Sequence, residues 1–300
     1  RIALDKPVQF DAVPTGRDDV ALLGFTSGTT GEPKATMHFH RDLLIIADGY
    51  AREVLNVTEN DVFVGSPPLA FTFGLGGLAI FPLRSGATAT LLENASPANM
   101  IQIIENYKAT ICFTAPTAYR AMLAAMDKGA DLSSLRIAVS AGETLPAPVF
   151  EEWTRKTGTP ILDGIGSTEM LHIFIGNSLA DHRPGTSGRP VPGYEARILD
   201  ENGRPVSKGE SGRLWIRGES SARYYWNKPD KTAETMVDGW LNTGDTYRQD
   251  EDGYFIYDGR SDDMLKVGGI WCSPVEIESC LIGHSAVLEA AIVGQPDENE

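Results

Sequence analysis

An α/β protein is the fold class the sequence predicts: a mostly parallel sheet flanked by helices, followed by a small antiparallel β-barrel or sheet and the start of a small α+β domain. Three observations predict it. Between Asp61 and Leu162 short apolar runs alternate with amphipathic segments of helix length, the pattern of strands covered on both faces by crossover helices. From about Gly185 short strands are punctuated by the turns Glu201-Asn202-Gly203, Lys208-Gly209-Glu210 and Glu251-Asp252-Gly253, which marks antiparallel pairing. A polar joint, Asp258-Gly259-Arg260-Ser261-Asp262-Asp263, then precedes a last small unit. The expected divisions are residues 1–184, 185–259 and 260–300.

Taken in order, Arg1 to Asp19 is polar and contains Pro and Gly, an extended lead-in. Val20 to Phe25 reads as a buried strand and Arg41 to Val54 as an amphipathic helix. Asp61 to Gly65 is a strand, and Leu69 to Gly77 alternates aromatics with glycines, which suits either a pocket wall or a helix start packed in the core. A strand at Thr88 to Leu92, a helix at Pro97 to Tyr107 and a strand at Thr110 to Phe113 follow. Pro116 opens a helix whose Tyr119, Met122, Leu123 and Met126 share one core-facing side. Arg136 to Ser140 is a strand, Pro146 to Lys156 a helix, and Pro160 to Leu162 a short strand. The antiparallel unit takes Glu195 to Leu199, Gly212 to Arg217 and Tyr254 to Tyr257. Beyond the joint come Met264 to Val267, the turn Gly268-Gly269, a helix from Pro274 to Leu281 and a strand from Ala286 to Val293.

Composition narrows the function. The 300 residues are 42% hydrophobic, enough to bury a large core. A formal net charge of -15 disfavours nucleic acid, which basic faces bind. Cys112, Cys272 and Cys280 are too scattered for a disulfide framework or a zinc site, which fits a reducing cytoplasm. No apolar stretch approaches the roughly 20 residues of a membrane span. The chain opens on Arg1 and ends on an acidic run at Glu300, which reads as a piece of a longer chain.

The most informative stretch is Phe25-Thr26-Ser27-Gly28-Thr29-Thr30-Gly31-Glu32-Pro33-Lys34. Gly28 and Gly31 let the backbone turn with its N–H groups inward, Thr26, Ser27, Thr29 and Thr30 add hydroxyls, and Lys34 adds a charge. Triphosphate oxygens need those groups. It is not a Walker loop: the glycine spacing differs, Pro33 precedes the lysine, and Ala35 stands where a magnesium-binding hydroxyl belongs. The loops Ser140 to Thr144 and Asp163 to Glu169 also qualify by composition as ligand loops at the carboxyl ends of strands.

That stretch, together with Gly166-Ser167-Thr168-Glu169, Trp240-Leu241-Asn242-Thr243-Gly244-Asp245 and Gly259-Arg260-Ser261-Asp262-Asp263-Met264-Leu265-Lys266, resembles the acyl-adenylate-forming superfamily of acyl-CoA synthetases, peptide-synthetase adenylation domains and luciferases. The likeness is closest to the benzoate and 2-aminobenzoate CoA ligases, on Ile165 to Phe174 and Phe73-Gly74-Leu75-Gly76. The resemblance implies that ATP and a carboxylate give an acyl-adenylate and pyrophosphate, after which coenzyme A displaces AMP. It implies residues 1–184 as the nucleotide- and acid-binding part, and residues 260–300 as hinge and truncated carboxyl-terminal domain.

Roles follow from the same resemblance. Glu169 matches the magnesium-binding glutamate, Thr168 would donate to the α-phosphate, and Lys34 belongs to the catalytic set. Asp245 would accept from the ribose hydroxyls, although alone a Thr-Gly-Asp triplet reads as an ordinary turn. Arg260 would reach ribose or phosphate. Gly142, Glu143, Thr144, Asp163, Gly164 and Ile165 would surround adenine, with Gly166 and Ser167 beside them; Ile165 replaces the tyrosine that many relatives stack on the base. Phe71, Thr72, Phe73, Gly74, His172 and Ile173 are the candidate acid pocket, His172 serving as a substrate contact or as a satisfied structural histidine. The lack of an aspartate between Leu69 and Gly77 disfavours an amino acid substrate. Asp262 matches the hinge, and Lys266, Gly268 and Gly269 lie on the coenzyme A side. The family's catalytic lysine has no counterpart after Val293, so adenylation by these 300 residues alone should be crippled. The implied partners are a small aryl carboxylic acid, ATP or AMP and coenzyme A, with neither nucleic acid nor membrane, and a homodimer a possible assembly. The alternatives are a short- or medium-chain acyl-CoA synthetase, an aryl-acid adenylating enzyme that loads a carrier protein, and a non-catalytic nucleotide-binding module.

Overall fold

A computed structural model describes residues 7, 9–26, 33–126, 129–267, 270–284, 286–287 and 290–295. The chain begins with an antiparallel hairpin of β1 (Val20–Thr26) and β2 (Lys34–Phe39), and α1 (His40–Ile46) follows, running on as a π-type stretch Ala47–Val54. The expected helix is therefore present. The glycine-and-hydroxyl loop, however, joins two strands of a hairpin rather than a strand to a helix. Its outer strand also departs from expectation: β1 is half exposed, with Phe25 on the surface, and β2 is the buried one.

Next come β3 (Val62–Gly65), α2 (Thr72–Leu75), a π-type stretch Gly76–Ile80, α3 (Phe81–Ser85) and β4 (Thr88–Ala89). The crossover pattern continues through α4 (Pro97–Tyr107), β5 (Ile111–Thr114), α5 (Pro116–Ala125), β6 (Ile137–Ser140), α6 (Ala147–Thr157) and β7 (Ile161–Gly166). With β8 (Ile173–Gly176) and β9 (Arg189–Pro190) these strands form one sheet in the order β4-β3-β5-β6-β7-β8-β9. Pairing is parallel from β4 to β7 and antiparallel beyond.

Alternate residues of each parallel strand enter two different cores, as period-two side chains on a doubly covered sheet must. Phe63, Ile111, Phe113, Ile137 and Val139 face Ile46, Tyr50 and Phe81. Val64, Cys112 and Ala138 face Met100, Ile104, Tyr119 and Trp153 from α4, α5 and α6. Met126, expected on the core-facing side, is partly buried against that second core.

The remainder is β10 (Tyr194–Leu199), β11 (Gly212–Gly218), α7 (Pro229–Thr235), β12 (Met236–Val237), β13 (Trp240–Gln249) and β14 (Phe255–Arg260). They make an antiparallel five-stranded sheet in which β13 pairs with β11, β12 and β14, the sheet form of the barrel-or-sheet expectation. A short hairpin of β15 (Leu265–Val267) and β16 (Ile270–Cys272) leads to α8 (Pro274–Ile282). The strand expected at 286–293 is not seen: the described residues 286–287 and 290–293 lie outside any strand. Among the described residues no helix is long and apolar enough to cross a membrane.

The amino ends of the parallel strands are tied by a charge-assisted network. The Asp61 carboxylate accepts from Arg136 Nε and Nη2, each at 2.7 Å, from Thr110 Oγ1 at 2.7 Å and from the Thr58 N–H at 2.9 Å. Burial alone would raise the Asp61 pKa, but the hydrogen bonds and charge of Arg136 outweigh it and hold the carboxyl below its ordinary value. This clamp leaves the opposite, carboxyl ends of the strands free for ligands. Asp61→Ala is expected to lower stability by about 2–3 kcal/mol at pH 7, measured by urea denaturation. A carboxyl held low when folded stabilises above its unfolded pKa, so the difference from wild type should shrink as pH falls through the depressed value.

Candidate nucleotide site

A cavity of about 850 Å³ opens where the carboxyl ends of β6 and β7 meet the β1–β2 hairpin and the five-stranded sheet. Gly142, Glu143 and Thr144, just past β6, line it; so do Asp163, Gly164, Ile165 and Gly166 of β7, and Ser167, Thr168 and Glu169 beyond. The hairpin adds Thr26 and Lys34, and the other sheet adds Asp245, Arg260 and the adjoining Asp262. Residues more than 230 positions apart in sequence thus share one wall. Ser27, Gly28, Thr29, Thr30 and Gly31, expected in the cradle, lie outside the described residues, as do Gly268 and Gly269. Lys266 lies in β15.

The turn from β7 to β8 aims Thr168 and Glu169. Ser167 Oγ accepts from the Met170 N–H at 3.2 Å, and Leu171 takes a left-handed φ of 71° to complete the reversal. Three consecutive carbonyls of this turn are then fixed from outside. That of Thr168 accepts from His38 Nε2 of β2 at 2.7 Å, that of Glu169 from the Ala222 N–H at 2.7 Å, and that of Met170 from Ser220 Oγ at 2.8 Å. Both His38 and Asp42 are fully buried, and Asp42 Oδ2 lies 3.4 Å from His38 Nδ1 while capping the Phe39 N–H at 2.8 Å. The Glu169 side chain accepts at Oε1 from the Tyr225 hydroxyl at 2.6 Å, and Lys34 Nζ stands 4.6 Å from the centroid of the Tyr225 ring.

Asp245 reaches the cavity through a deformation of β13. Trp215 pairs with Asn242 and Arg213 with Thr246, so two steps along β11 oppose four along β13, and Thr243-Gly244-Asp245 bulges out. Gly244 has φ 74°, and a Cβ there would lie 2.9 Å from Arg260 Nη2. The Thr-Gly-Asp triplet is therefore a strand bulge, not an ordinary turn. Arg260 Nη1 donates to Asp245 Oδ1 at 2.8 Å and to the Thr243 carbonyl at 3.2 Å. Burial pushes the Asp245 carboxyl above its ordinary value, and the Arg260 guanidinium pulls against it. Asp163, part-buried in the cavity wall, is pushed up to about 8 by burial, opposed by the Ser140 side chain and the Gly164 backbone.

The acid-pocket candidates form a different group. Phe71, Thr72, Phe73, Gly74, His172 and Ile173 are absent from the cavity lining. Phe71 is 61% exposed, and Ile173 is in the core. His172, 2% exposed, lies among Tyr50, Phe73, Phe81 and Phe113, with ring centroids 4.5–6.1 Å away. It packs so closely on Gly76 that a Cβ there would come within 2.3 Å of its ring. Burial drives its pKa down to about 3. Neither ring nitrogen has a hydrogen-bond partner among the described residues, so the imidazole is structural in its packing and unsatisfied in its polarity. A helix does start within Leu69 to Gly77, α2 opening at Thr72.

Of the cavity residues that the sequence did not mark as candidates, Tyr225 and Arg213 bear most on its charge. Tyr225 sits in the aromatic run Tyr224-Tyr225-Trp226, a signal that was present but unassigned to any element, and Arg213 carries no motif at all.

Among the described residues no group of three or more His, Cys, Asp or Glu side chains could hold a metal ion. Glu169 fits the other manner of holding Mg²⁺, in which one or two carboxylates act with substrate phosphates. Two buried wall atoms, Thr26 Oγ1 and Asp163 Oδ1, lack a partner among the described residues, as expected of a wall that a polar ligand completes. His38→Ala would strip the Thr168 carbonyl of its side-chain donor and take the imidazole away from the buried Asp42, leaving that carboxylate the Phe39 N–H and Arg41. A loss of about 2–3 kcal/mol is expected, read from urea denaturation midpoints.

Comparison with known proteins bears on this geometry. The family model described as AMP-binding enzyme matches residues 3–226. Benzoate–CoA ligase of Thauera aromatica is 49% identical over 295 residues, covering 97% of this chain and 56% of that protein. The crystal structure of the anthranilate CoA ligase AuaEII in complex with anthranoyl-AMP superposes with a TM-score of 0.93 at 46% identity, covering 97% of this chain and 57% of that one. A benzoate CoA ligase from Burkholderia xenovorans LB400 gives a TM-score of 0.87 at 42% identity, with 96% and 58% covered. The chain thus spans little more than half the length of these relatives. With described residues of all four motifs gathered on one cavity and the family model matching from residue 3 to residue 226, the chain belongs to the AMP-binding enzyme family.

Proposed function

We propose that the whole protein is an aryl-carboxylate CoA ligase, of the benzoate or 2-aminobenzoate type, and that these 300 residues supply its nucleotide-binding core and hinge. The observation that carries the reading is the single cavity on which Thr26, Lys34, Thr168, Glu169, Asp245 and Arg260 converge. The names of the relatives support the substrate class: a benzoate–CoA ligase and an anthranilate CoA ligase with its acyl-adenylate bound.

In the first half-reaction a carboxylate oxygen attacks the α-phosphorus of ATP and the bond to pyrophosphate breaks. A weak anionic nucleophile approaching an anionic centre needs local positive charge and in-line positioning. Lys34 and the cradle would meet the phosphates, Thr168 would donate to the α-phosphate, and Glu169 would hold the metal together with phosphate oxygens. Magnesium, when bound, neutralises charge on the phosphate oxygens. Asp245 accepts from the ribose hydroxyls, with Arg260 beside it. The adenine lies along Gly142 to Thr144 and Asp163 to Ile165, held by apolar contact where Ile165 replaces an aromatic. In the second half-reaction a thiol attacks the acyl carbon and AMP leaves. Rotation about Asp262 would exchange the faces presented for the two steps, with 260–300 as the part that turns and 1–184 and 185–259 as the parts it turns against.

For the acid, the aromatic cluster around His172 is the candidate recognition wall. The unsatisfied imidazole would contact the ring substituent or carboxyl of a small aryl acid once Phe73 gives way, since a buried polar group without a partner is a costly feature that a ligand can relieve.

Mixing the full-length protein with ATP, Mg²⁺, coenzyme A and benzoate or 2-aminobenzoate should release AMP and pyrophosphate. Turnover of alkyl acids with failure across an aryl panel would overturn the reading. Asp245→Ala should weaken ATP binding about 10-fold or more in calorimetry, a charge-assisted pair of hydrogen bonds being worth that much. Unchanged affinity would remove Asp245 from the site. His172→Ala should raise the KM for the aryl acid while leaving that for ATP within about 2-fold.

A further inference from the structure

Glu169 and Lys34 are opposite charges lining one cavity, yet no ion pair joins them among the described residues. Tyr225 stands between them. Its hydroxyl donates to Glu169 Oε1 at 2.6 Å, and its ring face carries the Lys34 ammonium at 4.6 Å. The residue is itself held: Tyr225 is 2% exposed, its backbone N–H donates to Thr232 Oγ1 at 3.0 Å, and its backbone bridges to Thr36 of β2. The Glu169 backbone is tied to the same segment through the Ala222 N–H.

We propose that Tyr225 is a positioning residue that holds the Glu169 carboxylate for the metal and keeps Lys34 from neutralising it. The proposal rests on the reading of Glu169 as the metal-facing carboxylate. A glutamate has three rotatable bonds and loses that freedom on binding an ion; a phenol fixed by its own packing orders it beforehand. Donation to one oxygen leaves the other to face the cation, as outer-shell partners of metal ligands do. The ring supplies a second service. An ammonium over its negative face is attracted to the ring, so Lys34 stays near the phosphate path instead of pairing with Glu169.

Two variants separate the two services in the full-length protein. Tyr225→Phe keeps the ring and removes the hydroxyl. The Mg²⁺ concentration for half-maximal ATP–pyrophosphate exchange should rise about 10-fold. In calorimetry the preference for MgATP over metal-free ATP should fall by a similar factor, while metal-free ATP affinity stays within about 2-fold and reports an intact fold. Tyr225→Ala should also weaken metal-free ATP binding, because Lys34 is then free to close on Glu169. A wild-type Mg²⁺ dependence in Tyr225→Phe, beside a shifted one in Glu169→Gln, would overturn the proposal and leave the reading of Glu169 standing. A wild-type Mg²⁺ dependence in Glu169→Gln would overturn both. An equal loss of affinity for ATP with and without metal in Tyr225→Phe would reduce Tyr225 to a packing role and also overturn it.

Discussion

Three carbonyl oxygens in a row, those of Thr168, Glu169 and Met170, accept hydrogen bonds from two distant stretches of the chain: His38 on β2, and the Ser220 hydroxyl and Ala222 N–H just past β11. Each bond is worth only about 1 kcal/mol net, but a buried carbonyl left without one costs about 1–3 kcal/mol. The cheapest arrangement is therefore the one in which hairpin, parallel sheet and antiparallel sheet close on the same turn. The cavity is the seam left where these three bodies meet, and the directions of the Thr168 and Glu169 side chains are set by the backbone that the seam immobilises.

Two of the cavity's carboxylates are already hydrogen-bonded before any ligand arrives. Arg260 already answers Asp245, and Tyr225 already answers Glu169. A protein of net charge -15 offers an anionic ligand no long-range attraction, so the favourable terms must be short-ranged and come from groups at the wall such as Lys34, Arg213 and Arg260. The aromatic cluster around His172 works by the opposite logic. There burial suppresses the charge and leaves a neutral imidazole, without a hydrogen-bond partner among the described residues, in an apolar setting.

How much of this the sequence disclosed follows from how local each signal was. Helix α4 could be bounded in full because Ser96 caps it, Pro97 occupies its first turn and Lys108 leaves it in a left-handed conformation. The parallel strands were legible as short apolar runs. Strand β2 was not, because Lys34-Ala35-Thr36-Met37-His38-Phe39 is buried on both faces and carries polar residues inward, so it has neither alternation nor an apolar run. Strand β13 was hidden by its own bulge, which interrupts the period of two at Thr243-Gly244-Asp245. The nucleotide-side candidates were found because their motifs sit in loops or at strand ends; Tyr225 was missed because its importance is a contact 56 residues away along the chain, with Glu169.

The bulge in β13 has a bearing on how this site can evolve. Local preference favours a regular ladder, and a residue with a side chain at Gly244 would press in that direction, against both its φ of 74° and the Arg260 guanidinium. Yet regularity would carry the carboxylate of Asp245 away from the cavity. At this one position selection for a sturdier strand and selection for a working pocket pull apart, so a drift toward higher thermal resistance would have to be found elsewhere in the sheet.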